Sequence, residues 1–177
     1  MRRLAGVVGP AAFVGAWVAG SILRRRDGYS PVDDPISGLA EIGSSTRPLM
    51  TAGFVAFGVA VPVFAALDRR DLGAPATTAL VVAGLGTLGV AAIPLHPVDD
   101  VPLHAVAAIA GYVGLAAAPA LARTDRSVPL AMLSAACLAA TALGPAHGVL
   151  QRAGLTVVDA WIVRRALSGR PSDGRRS

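Results

Sequence analysis

The chain has no lysine: all 16 of its basic residues are arginine. That bias marks coding in a G- and C-rich genome rather than a chemistry. Charge of either sign is scarce, at 15% of residues against about 25% in soluble domains. Aromatic side chains make up only 5%. A single cysteine, Cys137, excludes an intrachain disulfide and any cysteine-based metal motif. It lies in an alanine-rich run and reads as a small packing residue. There is no nucleotide-binding glycine motif, no haem-attachment motif and no room for a soluble catalytic domain. The net charge of +5 does not make nucleic acid a partner, because the arginines flank apolar runs and form no stripe with interleaved aromatics.

What the chain does have is apolar length, with 54% hydrophobic residues, mostly Ala, Val and Leu. Crossing a bilayer takes about 20 such residues. Segments 4–23, 48–67, 74–95, 103–122 and 128–146 meet or approach that length, and each is bounded by charge, Pro or Gly. A sixth, 149–167, is weaker because it carries Gln151, Arg152 and Asp159. The expected fold is all-α, a polytopic transmembrane bundle of six helices over residues 1–167, with 168–177 a disordered tail. Segment 4–23 is followed at once by Arg24, Arg25 and Arg26, which favours a retained helix over a cleaved signal.

Lipid offers no hydrophobic drive for helix association, so small residues should line the contacts. Ala12/Ala16/Gly20, Ala107/Gly111, Ala131/Ala135/Ala139 and the glycines of GLGTLGV are the expected contact stripes. Arginine placement sets orientation. With the N-terminus inside, Arg2, Arg3, Arg69, Arg70, Arg123, Arg126, Arg164, Arg165, Arg170, Arg175 and Arg176 fall on the cytoplasmic face. Arg24, Arg25, Arg26, Arg47 and Arg152 fall outside. The expectation is a multi-pass cell-membrane protein with both termini cytoplasmic.

Helix parity then gathers the polar chemistry at the other end. The stretch HPVDDVPLH, residues 96–104, holds two of the three histidines and two aspartates. His147 lies at the next connection on the same side, and the long first connection supplies Asp33, Asp34, Ser37 and Glu41. Its Pro31, Pro35, Ile36, Leu39 and Ile42 argue for an ordered lid, with residues 35–42 a short helix capped by Asp34. Imidazole with carboxylate suits zinc or a similar divalent ion. His96, His104 and His147 with Asp99 or Asp100 are the candidate ligands, the ion activating water and Ser37 orienting an oxyanion. A metal-free alternative is Ser37–His104–Asp100, although no nucleophile-elbow motif supports it. The plain alternative is that these residues cap helix ends and contact headgroups. Arg152 sits near the same end and is a candidate for a lipid phosphate or a loop aspartate, while Asp159 lies deeper, as a partner for arginines such as Arg164.

The runs DPISGLAEIGSSTRPLMTAGF, IPLHPVDDVPLHAVAA and HGVLQRAGL resemble a bacterial integral membrane family called domain of unknown function 998. The likeness covers Ser37 with Leu39, then Pro97 or Pro94 to Asp99 with His104, then Gly148 with Gln151 and Arg152. It departs at Gly38, where the family often has an acid, and leaves Glu41 or Asp34 to take that place. The resemblance implies a membrane protein without an established activity. A likeness in residue types alone joins the chain to membrane hydrolases of the ceramidase and adiponectin-receptor kind, but their His-x-x-x-His pair is missing here.

Two functions follow as expectations. One is a metal-assisted hydrolase of a lipid or acylated substrate. The other is a carrier or accessory subunit, in which Asp34, Glu41, Gln151 and Arg152 hold a headgroup or small solute. Membrane lipids are the expected partners, with a protein partner in a membrane complex as a further one.

Overall fold

In the computed structural model, residues 1–96, 102–144 and 146–168 are described. Helix α1 runs Arg2–Leu23, α2 Arg47–Leu67, α3 Arg69–Leu72, α4 Ala74–Ala92, α5 Pro102–Leu121, α6 Val128–Ala140 and α7 His147–Ser168. Each of the six expected apolar segments carries a helix, although α6 stops at Ala140 short of the expected residue 146, and α3 is a single added turn. Among the described residues there is no strand. The fold is an all-α helical bundle.

Proline and glycine punctuate these helices as their backbones require. Pro48 and Pro75 sit in first turns, where a missing N–H costs nothing. Gly73 turns the chain from α3 into α4 at φ +79°, a conformation other residues avoid.

Four helices are long and apolar enough to cross a membrane: α1 with its trailing turn, α2, α4 and α5. The side chains they leave exposed are Val55, Val59, Leu85, Val106, Ile109 and Val113 among others, a surface matched to hydrocarbon rather than water. Together these features fit an integral membrane protein. Helix α6 has 13 residues, about 20 Å at 1.5 Å per residue, and is too short to span alone. Helix α7 is long but polar on its buried side, where Gln151, Arg152, Asp159 and Arg165 are all buried.

Packing runs α1 on α2, α2 on α4 and α4 on α5, with α7 laid against α1, α5 and α6. Small residues set the closest approaches. A Cβ on Gly86 would stand 2.5 Å from the Gly111 backbone nitrogen, so α4 and α5 touch backbone to backbone. The stripe expected on α6 is rotated. Ala131, Ser134 and Leu138 face inward, while Ala135 and Ala139 are exposed. In so alanine-rich a helix the spacing of alanines does not select a face. Ser134 does, because its hydroxyl reaches Gly154 O at 2.7 Å on α7.

The start of α1 and the ends of α2 and α7 meet at one end of the bundle, where Asp68 bridges Arg2 at 2.6 Å and Arg165 at 2.7 Å. The connection between α1 and α2 lies over the opposite end.

Candidate functional site

The α1–α2 connection is a folded lid. Residues Ile36–Ala40 form a 3₁₀ turn, and Ile36 and Leu39 are fully buried under it. The expected cap is absent: Pro35 precedes the turn, and the Asp34 carboxylate instead accepts from Ser30 N at 2.7 Å. The lid is tied down at both edges. Ile42 N donates to Leu95 O at 3.0 Å beyond the end of α4, and Val149 N donates to Val32 O at 2.9 Å at the start of α7. Thr46 and Ser44 hydroxyls both donate to Leu39 O, at 2.9 and 3.1 Å.

The first turns of α7 form the main strap. Arg152 Nη1 donates to Pro31 O at 2.8 Å, to Asp34 O at 3.0 Å and to Gly148 O at 2.9 Å. Its Nη2 donates to the Tyr29 hydroxyl, and that hydroxyl donates to Pro35 O at 3.0 Å. The guanidinium also lies 5.4 Å from the Trp17 ring centroid and 5.8 Å from that of Tyr29. Arg152 thus meets the backbone carbonyl of Asp34 and not its carboxylate. Burial pushes the Tyr29 hydroxyl above its usual range, and the Arg152 cation offsets only part of that. The phenol therefore stays protonated and keeps its bond to Pro35. Next to it, Gln151 Oε1 accepts from Ile36 N at 2.7 Å, and its Nε2 donates to the Tyr112 hydroxyl on α5. Gly148 lets the lid approach: a Cβ there would fall 2.5 Å from Asp34 O and 2.9 Å from Pro31 O.

Under the lid lies a narrow cavity between α1, α2, α4, α5 and α7. Its apolar walls include Phe13, Phe57, Val90, Ala108, Leu115 and Leu155. Ser37 from the lid, His104, Tyr112 and Gln151 supply its polar groups, while the Thr87 hydroxyl turns back to Ala83 O at 2.9 Å. The lining on α5 runs from His104 to Leu115, about three turns or roughly 16 Å. The free volume is ≈ 50 Å³, several times the roughly 10–15 Å³ one water needs.

His104 is buried, with Nδ1 2.6 Å from Ile93 O at the end of α4. A carbonyl only accepts, so Nδ1 is the donor in this contact, which leaves Nε2 as the other ring nitrogen. His96 and His147 are half-buried, at the segment after α4 and at the first residue of α7. Among the described residues no three His, Cys, Asp or Glu side chains stand close enough to hold a metal ion. The three histidines are thus not brought together as a ligand set. Asp99 and Asp100 lie outside the described residues, as does the expected tail after Ser168. Glu41 is half-buried just past the lid turn, and its carboxylate has no partner among the described residues. Asp159 is 2% exposed and neither of its oxygens has a hydrogen-bond partner among the described residues. Arg164 pairs with Asp125 at 2.7 Å instead, which overturns the pairing expected for Asp159.

Ser37, His104 and Gln151 line one cavity, and Arg152, next to Gln151, is bonded to the lid above it. Sequence reasoning missed Tyr29, Tyr112 and Trp17. Their signal was scarcity: the chain has only two tyrosines and two tryptophans, and both tyrosines bond to the Gln151–Arg152 pair.

No curated protein and no solved structure matches the chain. A family model does, over residues 7–168, which takes in all of the bundle but the first turn of α1, with the lid and the strap. The chain belongs to the family described as protein of unknown function (DUF998).

Proposed function

We propose that the protein holds one slim amphipathic molecule, with its apolar chain in the slot along α5 and its polar head under the lid. One observation carries this reading: a narrow, mostly apolar cavity under the lid, lined along about 16 Å of α5, into which Ser37, His104, Tyr112 and Gln151 bring polar groups. A narrow void suits an acyl chain rather than a ring system. In this reading the lid faces outward from the cell membrane and the arginine-rich end faces the cytoplasm, as the arginine bias supports. The test is photo-crosslinking in membranes with a diazirine-bearing fatty acid. Label is expected on slot-lining peptides of α5 and α2, and filling the slot with Ala108→Phe should remove it. Label found only on the outer belt around Val106, Ile109 and Val113, unchanged in the variant, sinks the proposal.

A second reading is hydrolysis of a bound ester, favoured by Ser37 and His104 lining the same cavity with His104 Nδ1 fixed by Ile93. His104 Nε2 would take the Ser37 proton as Oγ attacks the ester carbonyl; the alcohol would leave with that proton, and water would then release the acid. A fluorophosphonate probe should mark Ser37, and not the Ser37→Ala protein. Elemental analysis addresses the metal-assisted form: one divalent ion per chain, lost in His96→Ala/His104→Ala/His147→Ala, would support it.

A further inference from the structure

The arginine-rich end of the bundle carries two recesses, one with its charges balanced and one positive. One is lined by Arg2, Arg164 and Arg165 together with Asp68, Asp71 and Asp125. There each cation has a carboxylate: Arg2 and Arg165 meet Asp68 at 2.6 and 2.7 Å, and Arg164 meets Asp125 at 2.7 Å. The other, a broad open hollow of ≈ 410 Å³, is lined by Arg69, Arg70 and Arg123 with Gly73, Ala74, Thr77 and Thr78. No acidic residue lines it. None of its three arginines has a side-chain partner among the described residues. The nearest acids in sequence, Asp68 and Asp71, line the first recess instead.

From this segregation we infer that the second recess binds the phosphate of an anionic membrane lipid. Three arginines from two distant segments line one hollow, and guanidinium pairs with phosphate through fixed, forked N–H groups. The two arms are held together. Arg123 N donates to Leu72 O at 2.8 Å, and Thr124 donates to Asp71 O through both its N, at 3.1 Å, and its hydroxyl, at 3.0 Å. The two backbone segments that carry the arginines are therefore joined before a ligand arrives. The rims identify the source of the phosphate. Leu67 and Leu121, two residues before Arg69 and Arg123, are 51% and 46% exposed. Side chains suited to hydrocarbon thus give way to arginine within half a turn, at the depth where a lipid headgroup sits. The start of α4 adds little, since Pro75 has no N–H.

The test uses the full chain in detergent, titrated with phosphatidylglycerol or phosphatidylcholine, reading retained lipid by native mass spectrometry. Two triple variants are compared. Arg69→Gln/Arg70→Gln/Arg123→Gln empties the recess. Arg25→Gln/Arg26→Gln/Arg47→Gln removes equal charge from exposed positions at the lid end. Wild type should prefer phosphatidylglycerol, and the recess variant should lose that preference by more than about tenfold, from about fivefold per arginine. The lid-end variant should keep it. Equal loss in both variants would show a diffuse field and overturn the site. Loss in neither would do the same. Displacement of the bound lipid by low-millimolar inorganic phosphate would overturn the lipid as occupant, by assigning the recess to free phosphate.

Discussion

Helix α7 buries one arginine near each end, and the two are held in opposite ways. Arg165 meets a carboxylate: its Nε donates to Asp68 at 2.7 Å, with Thr124 O and the Thr124 hydroxyl taking the other nitrogens. Arg152 meets only neutral groups, namely three carbonyls, a phenol and two aromatic faces. Arg165 joins helix ends that lie far apart in sequence, and its carboxylate partner is itself gripped by Arg2 on α1. Arg152 grips a loop. A full ion pair out of water is hard to separate, whereas a set of carbonyl bonds can be exchanged for water one at a time. The arginine-rich end is thus held by a buried ion pair, and the lid end by hydrogen bonds to neutral groups.

The hardest test of that contrast is Asp68→Ala. It leaves Arg165 buried without its carboxylate and frees Arg2, and the expected cost is about 3–5 kcal/mol of global stability. Thermal unfolding in mild detergent should fall cooperatively for the whole chain. Arg152→Met should instead cost about 2–3 kcal/mol, confined to the lid, since it removes charged hydrogen bonds without leaving a buried charge behind. Hydrogen exchange should rise across residues 29–42 while α4 and α5 keep their protection. A global loss from Arg152→Met equal to that from Asp68→Ala would erase the distinction between the ends.

Gly148→Ala approaches the same lid from the other side. Its Cβ would meet backbone oxygens of Asp34 and Pro31. Neither can rotate away, so the lid must shift, at about 1–3 kcal/mol. The expected signature is the exchange pattern of Arg152→Met with the guanidinium retained, its Nη1 displaced by the Cβ that would stand 2.9 Å from it. An unchanged pattern would mean the lid tolerates displacement and the close approach has no role.

These tests also mark where sequence reading stops. The helices were legible because apolar length and terminal charge act locally, residue by residue along one segment. The lid was legible from its buried-type residues, Ile36 and Leu39, within a proline-bounded loop. Gln151 and Arg152 stood out because a polar pair in an apolar helix needs partners. Which partners they have was not legible. Backbone carbonyls carry no sequence signature, and Asp68 finds Arg165 97 residues away only through the packing of α2 against α1 and α1 against α7. The surroundings of the histidines were not legible for a related reason. His104 looks like a metal ligand in a string, yet its Nδ1 closes the end of α4 at Ile93. Proximity in sequence placed His96 and His104 at one end, and among the described residues no three candidate ligands stand at one point.

The finest test is Tyr29→Phe. It keeps the ring beneath Arg152 and removes only the hydroxyl, which accepts from Nη2 and donates to Pro35 O. If Tyr29 is a neutral phenol, as its raised pKa requires, the loss is two ordinary bonds and about 1 kcal/mol, well short of Arg152→Met. The double variant should then lie close to Arg152→Met alone, because the hydroxyl has little to hold once the guanidinium is gone. A Tyr29→Phe loss as large as that of Arg152→Met would mean the phenol is ionised and serves as the anion that Arg152 otherwise lacks. The lid end would then hold an ion pair of its own, and the two ends of α7 would be fastened alike.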